Sequence, residues 1–239
     1  MIKLTSVTTC MNRMESIKKT LVHNINACKN PNVDFVLLNY GSKDKLDHYI
    51  NSSCMEYIRN GKLKYYKVLD DIQFFHHARA KNIAYKVASG NVIFNSDAEW
   101  FSHEPLFELA FKEFKTGEEK KTLHIGGRGG ALMNYKKHFE MVNGYNEEMV
   151  GWGFEDSDFY NRLRFGFKFD HKRVAFKPYG DIIWRAHPRR DSTNIPKELI
   201  KDNYAIHRMN IDNGGFVVNK NKPWGSAKLL LNFTEEITI

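Results

Sequence analysis

Two carboxylates stand one residue apart after a short apolar run. Asp97 and Glu99 follow residues 92–94, a run that is typical of a buried strand. Because acidic residues are poor strand formers, we expect them where the strand ends. Mg²⁺ and Mn²⁺ prefer oxygen ligands and are often held by one or two carboxylates plus substrate phosphates. The spacing therefore suits a divalent cation, although an acidic pair of this kind is also typical of a solvated turn.

A second acidic group opens a predicted helix. Residues 151–158 have the sequence Gly-Trp-Gly-Phe-Glu-Asp-Ser-Asp, and a helical pattern runs over 155–165. The carboxylates of Glu155, Asp156 and Asp158 would lie in the first turn of this helix. Negative charge there suits the helix dipole, and such residues can cap the helix.

The elements before Asp97 alternate between strand and helix. We predict strands over 2–9, 34–38, 62–69 and 92–94, and helices over 12–28, 43–59 and 76–89. Such alternation implies an α/β fold with a mainly parallel central sheet and helices on both faces. In that architecture ligands bind beyond the carboxyl ends of the strands. Polar residues at three of these ends should therefore meet in one crevice: Thr8 and Thr9, Asn39 and Tyr40, and Asp97 and Glu99.

The second half of the chain has a different pattern. We predict helices over 105–115 and 196–210, two strands within 172–184, and a peripheral tail of weaker periodicity over 211–239. Glycines at 126, 127, 129 and 130 either permit unusual backbone angles or let a ligand approach closely. No linker, repeat or low-complexity segment divides the chain, so we expect a single domain over 1–239.

The composition limits the class of protein and its partners. The chain has 239 residues, 42% of them apolar and 27% charged, as in ordinary globular proteins. The sequence contains no apolar run of about 18 residues, so we expect no transmembrane span. We also expect no leader sequence and a cytoplasmic location. The formal net charge of +8 could attract nucleic acid, anionic lipid or a phosphorylated substrate. The basic residues form no continuous stripe or nucleic-acid module, so we expect no nucleic-acid partner and allow a peripheral membrane contact.

Several segments resemble nucleotide-sugar-dependent glycosyltransferases of the GT-A fold. The first half resembles the family-two type at residues 8–13, 39–44, 78–82 and 97–99, the last of which matches the family's Asp-x-Asp. Residues 151–158 are close to the Gly-Trp-Gly-Gly-Glu-Asp-Asp-Asp of the beta-1,4-galactosyltransferases, and the second half also resembles polypeptide N-acetylgalactosaminyltransferases. The resemblance implies a Rossmann-like GT-A domain. It would have a nucleotide-binding half over 1–100, a smaller acceptor-side and catalytic half over 101–210, and a tail over 211–239.

The resemblance also implies a donor site. Asn39 and Tyr40 replace the family's usual acids, so Tyr40 could stack on uracil instead. Arg79 would contact a diphosphate oxygen or, alternatively, pair with a surface acid, and Trp152 would stack on the apolar face of a sugar. The positions expected to bind the nucleotide-sugar are Thr8, Thr9, Asn12, Arg13, Asn39, Tyr40, Asp44, Arg79, Asn82, Ser96, Asp97, Gly127 and Trp152.

Metal ligands and catalytic residues follow from the same resemblance. His187 matches the family's late ligand histidine, so Asp97, Glu99 and His187 would hold Mn²⁺ or Mg²⁺, which stabilises the charge of the leaving diphosphate. The match at 151–158 makes Asp156 the base that takes the acceptor's proton, with Glu155 beside it. Alternatively, Asp156 only caps its helix.

These expectations describe a metal-dependent glycosyltransferase. It would move a sugar from a nucleotide-sugar, most simply a UDP-sugar, to a hydroxyl of a glycan or lipid-linked saccharide. A base placed opposite the diphosphate permits a single displacement with inversion. Two alternatives stay open: a retaining transferase on the same fold, and a carbohydrate- or nucleotide-binding protein without turnover.

Overall fold

A nine-stranded sheet runs through the protein in the order β11-β10-β3-β2-β1-β4-β7-β6-β8, and β5 and β9 form a second, two-stranded sheet. The computed structural model describes residues 1–126, 130–175, 177–182 and 195–239. The strands are β1 Leu4–Cys10, β2 Val33–Asn39, β3 Leu63–Val68, β4 Val92–Ser96, β5 Trp100–Ser102, β6 Lys121–Ile125, β7 Leu132–Tyr135, β8 Asp170–Val174, β9 Gly180–Ile182, β10 Lys228–Leu231 and β11 Glu235–Thr238.

The centre of the large sheet is parallel. Strands β3, β2, β1 and β4 run in one direction, with Thr8 of β1 opposite Leu37 of β2 and Ser96 of β4. On either side the pairing becomes antiparallel, at β4–β7 and at β3–β10. The prediction of a mainly parallel central sheet is confirmed, and the carboxyl ends of its strands lie at one edge.

Helices cover both faces of this sheet, as the alternating pattern predicted. They are α1 Met14–Ala27, α2 Leu46–Ser53, α3 Met55–Arg59, α4 His77–Val87, α5 Glu104–Glu113, α6 Lys136–Met141, α7 Glu155–Phe167 and α8 Asn203–Asp212, with a 3₁₀ turn at Lys197–Leu199. None of the helices in the described ranges is long and apolar enough to cross a membrane.

Strand β2 shows how the two core layers arise. Side chains alternate across a strand, so Phe35 and Leu37 pack in one layer with the apolar residues of α1, α2 and α5. Val36 and Leu38 pack in the other layer, with α4 and α7. Every residue of β2 is buried, which is typical of a parallel strand covered on both faces.

Three segments differ from the sequence prediction. The helix expected over 43–59 breaks at Cys54, whose side chain is fully buried and whose φ of −122° is not helical. The helix expected over 196–210 begins only at Asn203, because the Asp202 side chain accepts the N–H of Ala205 and caps it there. The tail, expected to be peripheral and of weak periodicity, supplies β10 and β11, which extend the main sheet beyond β3 to its edge.

Candidate active site

The loops after β1 and β2 are tied to each other at the carboxyl edge of the sheet. The backbone N–H of Asn12 donates to Ser42 Oγ (3.0 Å), and Asn12 Oδ1 accepts from the N–H of Lys43 (2.7 Å). Asp44 Oδ2 accepts from the N–H of Met14 (2.9 Å) at the first turn of α1. Asn12 and Asp44, both predicted donor-site residues, thus hold the two loops together and fix the start of α1.

Asp97 follows β4 at the same edge, as predicted, and its side chain is exposed. Gly130 lies directly against it: a Cβ at position 130 would overlap the Asp97 carboxylate. The amide of Asn95 donates to the Gly130 carbonyl and holds that backbone in place. The absence of a side chain at position 130 therefore keeps the Asp97 oxygens accessible.

Glu99 lies beside the N-terminus of α1. Its Oε1 accepts from Ser16 Oγ (3.2 Å) and lies 3.6 Å from Arg13 Nε. Ser96, also a predicted donor-site residue, is buried at the end of β4, whereas Thr8 and Thr9 of β1 are half-buried next to it. The structure thus brings the predicted residues from β1, the α1 start and β4 to one edge.

The acidic motif forms the first turn of α7, where it meets α4. Phe154 occupies the N-cap with a left-handed φ of +69°. Lys81 of α4 points into this turn: its Nζ lies 2.7 Å from Asp156 Oδ1 and 3.0 Å from Glu155 Oε1. All three side chains are buried. Asp156 is thus held by a hydrogen bond from the Lys81 ammonium, and the N-cap position itself belongs to another residue.

The cluster of Lys81, Glu155 and Asp156 contains two carboxylates and one ammonium, and this imbalance of charge shifts the pKa values of the two acids. Burial and the nearby carboxylates of Glu155 and Asp97 raise the pKa of Asp156 to about 8, although Lys81 opposes the rise. Burial would also raise the pKa of Glu155, but the charges of Lys81 and His77 outweigh it and hold that pKa at about 2. One ammonium serves two carboxylates, so Asp156 is the group that keeps a proton near neutral pH.

Asp97 belongs to the same electrostatic cluster. Although its carboxylate is open to solvent, the protein around it limits its hydration, and this desolvation is the main cause that raises the pKa of Asp97. Lys81 lowers the pKa, while the carboxylates of Glu99 and Glu155 raise it further. Several carboxylates thus face one ammonium, an excess of negative charge that a divalent cation would neutralise. Asp97 and Glu99 offer the hard oxygen atoms that Mn²⁺ and Mg²⁺ prefer.

The metal-ligand set is not complete in the described part of the chain. Within residues 1–126, 130–175, 177–182 and 195–239, no group of three or more His, Cys, Asp or Glu side chains is arranged around a metal position. The predicted third ligand, His187, lies outside the described residues, and so does Gly127 of the predicted donor site.

Asn39 and Tyr40 are buried, which argues against the predicted direct contact with a base. The Asn39 amide donates to Asp47 Oδ1 (2.9 Å) and Tyr65 Oη (2.8 Å), and its oxygen accepts from the N–H of Ser42. Only 1% of Tyr40 is exposed, and its hydroxyl accepts from Arg79 Nη1 (3.1 Å). Both side chains shape the loop after β2 from inside.

Arg79 and Asn82 of α4 also make internal contacts. Arg79 Nη2 pairs with Asp70 Oδ2 at 2.6 Å, which agrees with the alternative that it binds a nearby acid. Asn82 is fully buried, accepts from the N–H of Tyr145 and donates to Tyr145 O and Glu147 Oε1. Since its donors and acceptor are used, Asn82 positions the segment before the acidic motif and does not reach a nucleotide.

Trp152 presents its ring to solvent beside the acidic turn. Its exposed fraction is 67%, and it lies between Gly151 and Gly153, whose φ values of +111° and +99° favour glycine. Phe154 is also exposed and lies 5.2 Å from the ring of Tyr204, measured between centroids. An exposed aromatic surface next to Asp156 suits contact with the apolar face of a sugar.

Two roles in the site were not expected from the sequence: that of Lys81, and that of Asp158, which was expected only to cap the helix or to suit its dipole. Lys81 lies within the family-like segment 78–82, and its spacing on α4 with buried Ala78 and Tyr85 is the signal that could have found it. Asp158 forms a buried ion pair with Arg162 (2.6 Å), whose guanidinium also donates to the carbonyls of Val142 and Gly144. This pair fixes α7 to the preceding loop and holds Asp156 in place.

Comparison with known proteins found one family model and several solved structures that are similar to this chain. Residues 116–182, which include β6 to β9, match the family model described as the N-terminal domain of galactosyltransferase. A search of curated proteins found no match. Among solved structures, TarS of S. aureus in complex with UDP-GlcNAc has a TM-score of 0.66 and 13% identity, covering 88% of this chain and 68% of that one.

Two further solved structures show the same architecture. The mannosyltransferase PcManGT from Pyrobaculum calidifontis, in complex with GDP-Man and Mn²⁺, has a TM-score of 0.63 and 15% identity over 80% of this chain and 59% of that one. The catalytic domain of Drosophila beta1,4galactosyltransferase 7, in complex with xylobiose, has a TM-score of 0.58 and 16% identity over 100% and 92%. The chain has the GT-A fold. It spans 59% of the length of PcManGT and between 60% and 68% of residues 1–349 of TarS, depending on which TarS structure is compared.

The predicted family resemblance is confirmed. The chain combines a GT-A fold with a segment over 116–182 that matches the galactosyltransferase model. The acidic turn at 155–158 lies inside the segment that matches the galactosyltransferase model, so the most specific sequence motif and the family match coincide.

Proposed function

We propose that this GT-A protein transfers a sugar from a UDP-sugar to a hydroxyl of an acceptor saccharide, with Asp156 as the general base. The observation that carries the proposal is the buried hydrogen bond from Lys81 to Asp156 at the start of α7, within the electrostatic reach of Asp97. A general base works best when its pKa lies near the operating pH, and burial raises the pKa of Asp156 to about 8.

Lys81 and the start of α7 position the Asp156 carboxylate to act as the general base. As Asp156 accepts the acceptor's proton, its negative charge is neutralised, and Lys81 then keeps Glu155 as its remaining ionic partner 3.0 Å away. Because all three groups are buried, the charge change occurs in a protein environment that is already arranged for it. The ion pair also fixes the direction of the carboxylate, which limits the geometry of attack.

The donor side of the proposal rests on the carboxyl edge of the sheet. Asp97 and Glu99, with His187 as a further candidate, would hold Mn²⁺ or Mg²⁺, and the ion would supply charge stabilisation for the leaving diphosphate. Arg13 lies 3.6 Å from Glu99 and places a guanidinium at the start of α1, where a phosphate would also meet helix N–H groups. The choice of a UDP donor is supported by the TarS complex with UDP-GlcNAc and by the GalNAc-T7 complex with UDP, GalNAc and Mn²⁺.

A base on the acceptor side, separate from the diphosphate edge at Asp97, suits a single displacement with inversion at the sugar carbon. Trp152 and Phe154 would provide the apolar surface for the acceptor or for the sugar being transferred. A glycan or lipid-linked saccharide is the acceptor class we propose, in keeping with the xylobiose bound to the Drosophila enzyme.

Calorimetric titration of UDP and GDP, each with and without Mn²⁺, tests the donor site. We expect Mn²⁺-dependent binding of UDP that is lost in Asp97→Ala and kept in Glu236→Gln, which removes an exposed carboxylate on β11. Binding of GDP in place of UDP would overturn the choice of donor. If neither nucleotide binds under any condition, the proposed donor site is wrong and the alternative of a binding protein without turnover is favoured.

A further inference from the structure

A second pocket lies beside the acidic turn, between α7, β8 and α8. Its volume is about 590 Å³, within the range of small-molecule sites. The residues that line it are Tyr160, Asn161, Arg164, Phe165, Phe169, Asp170, His171, Arg173, His207, Arg208 and Ile211. None of these takes part in the proposed transfer step.

The lining carries an excess of positive charge. Three arginines face one carboxylate, that of Asp170. Arg208 is paired with Asp212 at 2.9 Å, whereas Arg164 and Arg173 have no carboxylate within 4.0 Å among the described residues. Guanidinium groups match the planar oxygens of carboxylates and the oxygens of phosphates, so these two are available for an anion.

The positive charge in the pocket also acts on the pKa of a neighbouring histidine, His171. Desolvation lowers the pKa of His171 to about 4, and the charges of Arg173 and Arg164 act in the same direction. The ring of His171 stacks on Tyr160 with centroids 3.9 Å apart, and its Nδ1 lies 2.7 Å from Thr122 Oγ1. The neutral, stacked rings of His171 and Tyr160 therefore lie in the same pocket as two guanidinium groups that have no carboxylate partner. This combination suits a ligand with an apolar face and a negatively charged group.

Helix α7 connects this pocket to the proposed base. Asp156, Tyr160 and Arg164 are spaced four residues apart and so lie along one face of the helix. At a rise of about 1.5 Å per residue, the pocket extends from roughly 6 to 12 Å along the helix from Asp156. An acceptor whose hydroxyl meets Asp156 would reach the pocket with a more distant part of the same molecule.

We propose that the pocket binds a phosphate or carboxylate group carried by a distant unit of the acceptor saccharide. This inference rests on the proposed function, because it takes Asp156 as the point where the acceptor reacts. According to this inference, the acceptor is an anionic saccharide, and Arg164 and Arg173 determine the specificity for it.

Glucose 6-phosphate and glucose form a matched pair of probes for this pocket. Their binding is measured calorimetrically with UDP and Mn²⁺ at saturation, so that the donor site cannot take up the phosphate. We expect glucose 6-phosphate to bind at least about tenfold more tightly than glucose, and Arg164→Ala/Arg173→Ala to remove that difference. Lys18→Ala/Lys19→Ala, which removes two exposed charges from α1, should leave it unchanged.

A second pair of variants separates charge from folding. Arg164→Lys/Arg173→Lys should keep part of the preference, because the charge remains while the two-pronged geometry is lost. Equal melting temperatures of all variants would show that the fold is intact. Equal affinity for glucose and glucose 6-phosphate, or a preference that survives Arg164→Ala/Arg173→Ala, overturns the proposal.

Two controls identify the source of the anion. If inorganic phosphate binds as tightly as glucose 6-phosphate, the pocket takes a free anion and the acceptor assignment is wrong. The acceptor assignment is also wrong if Arg164→Ala/Arg173→Ala loses the wild type's preference for phosphatidylglycerol vesicles over phosphatidylcholine vesicles but still binds glucose 6-phosphate. Failure of the proposed function looks different: UDP would not bind, and the arginine variants would still differ from the wild type in their binding of glucose 6-phosphate.

Discussion

The ammonium of Lys81 lies 2.7 Å from Asp156 Oδ1 and 3.0 Å from Glu155 Oε1. The three side chains are buried, and the lysine comes from α4, more than 70 residues before the two acids. One ammonium can balance the charge of only one of the two buried carboxylates, so the other carboxylate keeps a proton near neutral pH. This arrangement determines both the reactivity of the site and its contribution to stability.

Asp156→Asn tests the role of the base. An amide cannot accept the acceptor's proton, and positioned general bases contribute roughly 10²- to 10⁴-fold to rate. We expect kcat for sugar transfer to fall by that order, with little change in the affinity for UDP measured by calorimetry. Glu236→Gln on β11 is the control for loss of one charge. A variant with wild-type kcat would show that Asp156 only shapes the start of α7.

Lys81→Met tests the ion pair itself. Removing one partner of a buried pair leaves uncompensated charge and typically costs about 3–5 kcal/mol of the free energy of unfolding. Urea denaturation should show a loss of this size, while Lys19→Met on the exposed side of α1 should change the unfolding free energy by less than about 0.5 kcal/mol. A small loss for Lys81→Met would mean that Glu155 and Asp156 do not depend on the lysine.

The pKa of Asp156 should depend on the charges of its neighbours. The raised pKa of about 8 means that the carboxyl is protonated below that pH and becomes a competent base only as pH rises through it. ¹³C NMR of labelled aspartate should show one resonance with a midpoint near 8 in the free protein, absent in Asp156→Asn. Asp97→Asn removes a negative charge that raises this pKa, so the midpoint should move down. An unchanged midpoint would place Asp97 outside the cluster.

Local patterns in the sequence predicted the scaffold well. Alternating apolar runs and helical spacing indicated the parallel centre of the sheet, and the end of the 92–94 run placed Asp97 at its carboxyl edge. The glycines beside Trp152 and the acids at 155–158 indicated an exposed aromatic residue at a helix start, which the structure shows. These features depend on neighbours within a few residues, and so the sequence displays them directly.

The partners of these residues could not be found in the same way. The position of Lys81 against Asp156 depends on how α4 packs on α7 across the sheet, a distance that no local pattern encodes. The same holds for Asn39, which contacts Tyr65 of β3 and not a ligand. Strand β10 was missed because its partner, β3, lies more than 150 residues earlier.

Gly130→Ala tests whether the open space beside Asp97 serves the donor site. A Cβ at this position would overlap the Asp97 carboxylate, and the hydrogen bond from Asn95 to the Gly130 carbonyl limits how far the backbone can retreat. The carboxylate should therefore turn away from its present position. Displacing a group that orients a metal ligand typically costs 10- to 100-fold in affinity.

We therefore expect Mn²⁺-dependent UDP affinity to fall by about 10- to 100-fold in Gly130→Ala. Gly215→Ala is a matched control, because the nearest atom to its added Cβ is at 3.4 Å, an ordinary contact, and the residue lies outside the site. Calorimetric titration of both variants with UDP and Mn²⁺ measures the difference. If Gly130→Ala binds UDP as the wild type does, the Asp97 carboxylate does not have to occupy its present position for donor binding, and the metal site must depend on other ligands.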